Sequence, residues 1–207
     1  DAFRPYDPDT DAELLDRALT RAGDAGPELT VSGLEVRAHP HQERILEALA
    51  AERELHDRHR NLVVAATGTG KTVVAALDYR RLRAAGADSL LFVAHRDEIL
   101  RQSQRTYREV LGDGTFGERL VGGETPSRWK HVFASVQSLA RLDVDALPPF
   151  DVVVVDEFHH ALAPTYRRLL DGLDARELLG LTATPERGDG QDVRDLFDGR
   201  TAFELPL

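Results

Sequence analysis

Eight residues from Ala65 to Thr72, reading Ala-Ala-Thr-Gly-Thr-Gly-Lys-Thr, have the types and spacing needed to hold phosphate groups. They follow the apolar run Leu62–Val64 and precede residues 73–77, which can continue as a helix. A strand, a glycine-rich turn and a helix start in this order aim backbone N–H groups and a helix N-terminus at an anion. The stretch therefore predicts a P-loop.

Each side chain in this loop has a chemical reason to be there. Gly68 and Gly70 let the main chain approach the phosphates, Lys71 reaches the β- and γ-phosphates, and the Thr72 hydroxyl binds Mg²⁺. Of the 26 Lys and Arg residues only Lys71 and Lys130 are lysines, and a compact ammonium fits a closed loop better than a planar guanidinium. This lysine disfavours the alternative of a simple connecting turn. The predicted nucleotide ligands are Thr67, Gly68, Thr69, Gly70, Lys71 and Thr72.

A pair of carboxylates, Asp156 and Glu157, follows the apolar run Val152–Val155. Ligands of open α/β sheets collect at the carboxyl ends of strands. Next to a P-loop, the first carboxylate is predicted to hold Mg²⁺ opposite Thr72, and the second to orient and deprotonate the attacking water. We therefore predict Lys71, Asp156 and Glu157 as the catalytic residues; the alternative is a strand end with solvated acids.

Two histidines, His159 and His160, come directly after this acidic pair and raise the question of a metal site. Vicinal histidines without a further Cys or His at ligand spacing make a poor zinc site. We instead predict that His159 couples the acidic strand to its neighbour by hydrogen bonding.

Composition limits the class of protein. The chain has 207 residues, no Cys and no Met, and a net charge of −10. The absence of Cys excludes disulfides and thiolate metal sites and fits a reducing cytosol, while no apolar run approaches the ~18 residues of a membrane helix. We expect a soluble cytoplasmic protein without membrane partners, excised from a longer chain and encoded by a GC-rich, bacterial genome. Its acidity requires any nucleic-acid contact to be local, and the arginine-rich stretches at residues 80–83 and 96–108 can equally be solvated helix faces.

Short apolar runs alternating with amphipathic segments predict an α/β fold, a three-layer sandwich around a mostly parallel sheet. Residues 1–33 are predicted to be an extension with a short helix at 11–22, and residues 34–207 the domain. Predicted strands are 62–65, 90–94, 132–135, 152–155 and 178–181, with weaker ones at 120–121 and 203–205. Predicted helices are 39–55, 71–85, 96–111, 135–142 and 165–173.

Three ordered motifs resemble those of superfamily 2 helicases and translocases of the DExH group. They are Ala65–Thr72, residues 156–159 and residues 182–184. The sequences of residues 92–100, 134–139 and 181–187 also resemble those of bacterial DEAD/DEAH-box proteins. These proteins are related to type I and III restriction-enzyme helicase subunits and to XPB-like repair helicases. The resemblance runs from about Val36 to the C-terminus, and Ala65, which replaces the first glycine of the strict P-loop pattern, becomes a marker of the family.

This resemblance implies a RecA-like fold that binds ATP and Mg²⁺ and moves on nucleic acid, here taken to be DNA. It implies that Thr182 and Thr184 couple the ATP state to the grip on the strand. Gln42 stands where the family places a glutamine that reads the adenine edge. The sequence before it departs from the usual Arg-aromatic-Gln pattern and reads His39-Pro40-His41-Gln42. The alternative for Gln42 is an ordinary polar residue at a helix start. The implied contacts with the nucleic-acid backbone are Arg96, Gly122, Gly123, Ser135 and Gln137.

The resemblance also implies a second RecA-like domain in the full-length protein, which would supply an arginine finger. The present chain ends soon after Thr184, so we expect it to bind nucleotide weakly, to hydrolyse it poorly and not to unwind. Two alternatives remain at this point. One is a P-loop ATPase of a restriction or nuclease system that translocates or remodels without unwinding, and the other is a nucleotide-binding scaffold without activity.

Overall fold

The structure, a computed structural model, describes residues 36–143, 146–157, 172–184, 193–197 and 199–205. Within these ranges the α-helices are α1 (Pro40–His56), α2 (Lys71–Ala84), α3 (Asp97–Leu111) and α4 (Val136–Leu139), with a 3₁₀ helix at Val193–Phe197. The strands are β1 (Arg60–Val64), β2 (Leu90–Ala94), β3 (Glu118–Leu120), β4 (His131–Ser135), β5 (Phe150–Val155), β6 (Ala175–Thr182) and β7 (Phe203–Glu204).

These strands form one sheet in the order β3-β4-β2-β5-β6-β1-β7. Every neighbouring pair is parallel, so the carboxyl ends of the strands meet at one edge of the sheet. The loops after β5, β6 and β1 follow one another along this edge. Those after β3, β4 and β2 occupy the adjoining part. The strand order therefore sorts the candidate residues into two neighbouring groups.

Buried side chains alternate between the two faces of the sheet. Phe92 packs with α1, α2 and α3 on one face, whereas Leu91 and Val93 pack with α4 and the 3₁₀ helix on the other. Strands covered on both faces read as continuous apolar runs, and β2 is buried at all five positions. The predicted three-layer α/β fold is confirmed, with a sheet that is parallel throughout its described strands.

Element boundaries differ from the predictions by one to three residues in most cases. β1, β5 and β6 begin two or three residues earlier than predicted, and the helix predicted over 135–142 is limited to Val136–Leu139. The weak strand predicted at 120–121 is β3, at Glu118–Leu120. The predicted helix at 11–22 and most of the one at 165–173 lie outside the described residues, as does the predicted domain boundary at residue 34. None of the described helices has the length and apolar character needed to span a bilayer.

Candidate nucleotide and nucleic-acid site

The loop between β1 and α2 has the conformation of a phosphate cradle. Gly68 and Gly70 have φ angles of 86° and 79°, in the left-handed region that glycine adopts without steric cost. Inside the loop the Thr69 hydroxyl donates to the carbonyl oxygen of Ala66 at 2.8 Å, and α2 begins at Lys71. Backbone N–H groups at the start of α2 are thus free of intrahelical partners in the way an anion site requires.

Lys71 extends back over this loop. Its Nζ donates to the carbonyl oxygens of Ala65 at 2.7 Å and Ala66 at 3.1 Å. Burial lowers the pKa of Lys71, and the charges of Asp156 and Glu157 oppose that shift. A phosphate would offer the ammonium a stronger, charged acceptor than the two carbonyls do.

The acidic pair stands at the carboxyl end of β5. Asp156 is 8% exposed; its backbone N–H donates to the Val93 carbonyl at 2.9 Å, and one carboxylate oxygen accepts the Glu157 N–H at 2.9 Å. Burial raises the pKa of Asp156, while that N–H and Lys71 favour its ionised form. Glu157 has φ 52°, a left-handed conformation that costs a non-glycine residue roughly 1–3 kcal/mol and that the surrounding structure must maintain.

The donor set suits a hard divalent cation. The Thr72 hydroxyl at the start of α2 and the Asp156 carboxylate after β5 would offer oxygen ligands, the kind that Mg²⁺ takes, and β5 and β1 are separated in the sheet by β6. Among the described residues no group of three or more His, Cys, Asp and Glu side chains could enclose a metal. This arrangement fits an ion that draws most of its ligands from phosphate and water.

The Thr182–Thr184 segment is joined directly to the P-loop. Thr182 ends β6 with no exposed surface, and its carbonyl oxygen accepts the Ala65 N–H at 2.9 Å. The Thr182 hydroxyl donates to the Thr184 carbonyl at 2.9 Å and accepts the Thr184 N–H at 3.2 Å. A displacement at either segment would therefore reach the other through one hydrogen bond. His159, the other predicted coupling residue, lies outside the described residues.

Gln42 is placed against the P-loop, as the third residue of α1. Its side chain is buried and contacts both the start of α1 and the Thr69 carbonyl. The reading of adenine by Gln42 stays a prediction. Gln42 does lie at a helix start, which is the position that the alternative, an ordinary polar residue, assigned to it.

Residues predicted to contact nucleic acid follow the adjacent strands β3, β4 and β2. Arg96 is exposed before the first residue of α3, and it makes no ion pair within the described part of the chain. Gly122 and Gly123 have φ angles of 61° and 95°, and a Cβ atom built on either would meet nothing within 4 Å. Gln137 is exposed, with its amide nitrogen 3.1 Å from Nδ1 of His95. These four residues share the carboxyl edge, and their contacts with nucleic acid stay predictions.

Ser135 differs from the rest of this group. It is 5% exposed, and its hydroxyl oxygen accepts the Ser138 N–H at 3.1 Å, which caps the N-terminus of α4. This geometry gives Ser135 a structural task that the sequence did not reveal. A contact with nucleic acid, which also remains a prediction, would have to share the hydroxyl with the cap.

An ion network beside the two glycines was not predicted. Arg119 in β3 donates to Asp97 at 3.2 Å and makes a two-pronged contact with Glu124. It thereby ties the loop that contains Gly122 and Gly123 to the start of α3. No local pattern signals this network, because Asp97 lies 22 residues away in sequence.

Comparison with known proteins identifies the family. A family model described as "Type III restriction enzyme, res subunit" matches residues 35–187. A Schizosaccharomyces pombe protein that carries the name of a mitochondrial ATP-dependent helicase, irc3, is 30% identical over 169 residues, which cover 76% of this chain and 28% of that protein. The DNA 3'-5' helicase XPB of Kineococcus radiotolerans is 30% identical over 155 residues, which cover 70% and 27%.

A solved structure with a similar fold is that of a nuclease-deletion mutant of the type ISP restriction-modification enzyme LlaGI in complex with a DNA substrate mimic. It has a TM-score of 0.65 at 16% identity, and the match covers 83% of this chain and 20% of that one. The chain thus spans about a quarter of the two sequence relatives, at 28% and 27%. It belongs to the type III restriction enzyme res-subunit family and is a RecA-like motor domain of the superfamily 2 helicases and translocases.

Proposed function

We propose that this domain binds Mg²⁺-ATP and couples its hydrolysis to movement on DNA. The observation that carries the proposal is the meeting of three loops on neighbouring strands. The P-loop after β1, Thr182–Thr184 after β6 and the acidic pair after β5 share one edge of the sheet. This shared edge supports one nucleotide site that combines the predicted phosphate-binding, metal-binding and coupling groups.

Within that site the proposed roles follow from chemistry. The P-loop N–H groups and Lys71 bind the phosphates, and Thr72 and Asp156 would hold Mg²⁺. The ion, when bound, neutralises charge on the phosphate oxygens. Glu157 orients the attacking water and accepts its proton. The hydrogen bond between Thr182 and Ala65 links these events to the rest of the edge.

DNA is proposed as the track because of the relatives. One is named a DNA 3'-5' helicase, and the similar LlaGI structure holds a DNA substrate mimic. In this chain Arg96, Gln137 and the Gly122–Gly123 backbone would contact strand phosphates without reading bases, as is usual for sequence-independent binding. A few directed donors can do this in a chain whose net charge is −10.

A second RecA-like domain is proposed to complete the motor. Such a domain would supply an arginine finger, and arginine fingers are worth about 10³–10⁵ in rate in other NTPases. We therefore expect the present chain by itself to bind nucleotide but to hydrolyse it slowly. Translocation within a restriction system, without unwinding, is the second candidate, because the family model is that of a restriction-enzyme subunit. The presence of Lys71, Thr72, Asp156 and Glu157 together argues against an inactive scaffold.

Binding to fluorescein-labelled DNA tests the proposed track, measured by anisotropy over a series of salt concentrations with Mg²⁺ and a non-hydrolysable ATP analogue. Arg96→Ala is expected to weaken binding and to reduce the slope of log affinity against log salt by about one, as for the loss of one phosphate contact. Arg105→Ala is the matched control, since Arg105 pairs with Glu109 on the outer face of α3. Equal affinities and slopes for the two variants would contradict the proposed contact, and an RNA of the same sequence tests the preference for DNA.

A further inference from the structure

The loop between β3 and β4 makes a tight turn at its two glycines. The Glu124 N–H donates to the Val121 carbonyl at 2.9 Å, and Gly122 and Gly123 between them have φ angles of 61° and 95°. A four-residue turn with positive φ at both central residues favours glycine. We call residues 121–124 the glycine turn. Both glycines are exposed, and neither N–H donates to an acceptor within the described residues, so both can donate to a phosphate oxygen.

The last residue of the glycine turn is held by Arg119. The Arg119 Nε donates to Glu124 at 3.1 Å, and its Nη2 contacts the second oxygen of the same carboxylate. The Arg119 Nη1 donates to Asp97 at 3.2 Å, and Asp97 is the first residue of α3, directly after Arg96. A guanidinium that makes two bonds to one carboxylate fixes the orientation of that carboxylate. Arg119 therefore holds the end of the glycine turn and the start of α3 in one arrangement.

A second carboxylate of β3 fixes the part of the loop that follows. Glu118 accepts the Arg128 N–H at 2.8 Å and the Ser127 hydroxyl at 2.7 Å, and these bonds lower the pKa of Glu118. Successive side chains of a strand point to opposite faces, so Glu118 and Arg119 reach different parts of the loop. The loop is thus anchored to β3 on the far side of the two glycines, and the glycine turn is the arc that these anchors enclose.

We infer that Arg119 is a positioning residue for nucleic-acid binding. It keeps the glycine turn and Arg96 in a fixed relation, so that both meet the phosphates of one strand. The inference rests on the proposed function. A loop that must be ordered on binding lowers affinity, and an anchored loop avoids that cost. Arg119 needs no contact with the nucleic acid itself, because its guanidinium is already paired with two carboxylates and its side chain is only 19% exposed.

The first experiment compares two arginines of this region by the anisotropy of fluorescein-labelled DNA, with Mg²⁺ and a non-hydrolysable ATP analogue. Arg119→Met is expected to weaken binding about three- to tenfold, the value of one hydrogen bond. Arg128→Met is the matched control: it removes the same charge, but the Arg128 side chain is 83% exposed and lies 3.9 Å from Glu118. Equal affinities for the two variants overturn the inference and leave the proposed function standing. Absence of DNA binding by the unmodified chain overturns both.

Affinity for the ATP analogue separates positioning from a general loss of structure. Four strands lie between β3 and β1 in the sheet, so Arg119→Met should leave the affinity of the P-loop for the analogue unchanged. An equal loss of DNA and nucleotide affinity overturns the inference. If Arg119→Met does not fold, Arg119→Lys replaces it, because lysine keeps the charge but lacks the planar fork. Arg119→Lys is expected to weaken DNA binding about threefold, and DNA affinity equal to that of Arg128→Met overturns the inference.

A double-mutant cycle tests whether Arg119 acts through the glycine turn. Gly122→Asn keeps the turn, since asparagine tolerates positive φ, and adds a side chain where a Cβ atom meets nothing within 4 Å. This side chain should cover the main chain of the turn and weaken DNA binding. In the Gly122→Asn background, Arg119→Met should then weaken DNA binding by a smaller factor than in the unmodified chain. Factors that simply multiply overturn the inference, because independent sites contribute additively to the free energy.

Discussion

At the scale of single residues, two aspartates at opposite ends of β5 experience opposite electrostatic environments. Asp156 is buried at the carboxyl end, and burial raises its pKa. Asp151 near the amino end accepts the N–H groups of Asp88 and Ser89 and the Ser89 hydroxyl, and these bonds hold its pKa below the ordinary value. The ionised Asp156 carboxylate therefore lowers the free energy of unfolding, whereas the ionised Asp151 carboxylate raises it.

Asp156→Asn should raise the stability of the nucleotide-free chain at neutral pH. Because the pKa of Asp156 is raised in the folded state, its ionisation begins to disfavour folding as the pH rises past the ordinary value of 3.8 and does so fully above the folded value. Asparagine removes this charge and keeps the acceptor for the Glu157 N–H. We expect a gain of about 1 kcal/mol, or about 2–4 °C in Tm. The gain should vanish below the ordinary pKa of 3.8, where both states of the aspartate are protonated. Thermal unfolding over a pH series measures this.

Asp151→Asn is the matched control, because Asp151 lies near the other end of β5 and its pKa is shifted in the opposite direction. Its lowered pKa gives stability above the ordinary value of 3.8 that is lost as the pH falls through the folded value. We expect a loss of about 1–2 kcal/mol at neutral pH, since charge-assisted bonds are weakened. If both substitutions changed the free energy of unfolding in the same direction, the proposed cost of burying the ionised Asp156 carboxylate would be contradicted.

At the scale of elements, Arg53 joins two helices and a strand, namely α1, α2 and β6. Arg53 in α1 donates two bonds to Asp78 in α2, at 2.8 and 2.7 Å, and one to Glu177 in β6, at 2.8 Å. His59, just before β1, lies 2.6 Å from the other oxygen of Glu177, and this contact raises the pKa of His59. The side chains of Asp78 and Glu177 are both nearly inaccessible, and Arg53 is the cation that contacts both of them.

Arg53→Met should destabilise the domain by about 3–5 kcal/mol, because it leaves two buried carboxylates without their shared cation. Arg58→Met is the control: Arg58 pairs with Glu52 at 2.9 Å near the surface, and such pairs contribute about 0–1 kcal/mol. Urea unfolding of the two variants measures the difference. If Arg53→Met is too unstable to purify, Arg53→Lys, which keeps the charge but not the planar fork, should show an intermediate loss. Similar losses for Arg53→Met and Arg58→Met would contradict the account of the cluster.

At the scale of the whole molecule, the sequence predicted what depends on local pattern. Continuous apolar runs such as Val152–Val155 predicted the strands, and the two glycines before Lys71 predicted the P-loop. The early start of β6 was missed because Arg176 and Glu177 look like loop residues. Glu177 can stand in a buried strand because Arg53, 124 residues away, and His59 each contact one of its carboxylate oxygens.

The same reason explains what was missed in the site. That Gln42 would contact Thr69 and that Arg119 would join Asp97 to Glu124 depends on which loops the fold brings together. The 3₁₀ helix at Val193–Phe197 is too short to show a period, although Val193 and Phe197 are buried in the core. Residue types predicted the chemistry, while long-range packing decided which groups remain accessible to a ligand.

The most direct measurement is the affinity of the chain for a non-hydrolysable ATP analogue with Mg²⁺, compared between variants of its two lysines. Lys71→Met removes the ammonium from the P-loop and should lower affinity about ten- to a hundredfold, the value of a charge-assisted bond to phosphate. Lys130→Met removes the ammonium of the other lysine, whose Nζ lies 2.7 Å from a carboxylate oxygen of Asp88 and which is not part of the P-loop. This variant should bind the analogue like the unmodified chain. Equal affinities for Lys71→Met and Lys130→Met would contradict nucleotide binding at this P-loop.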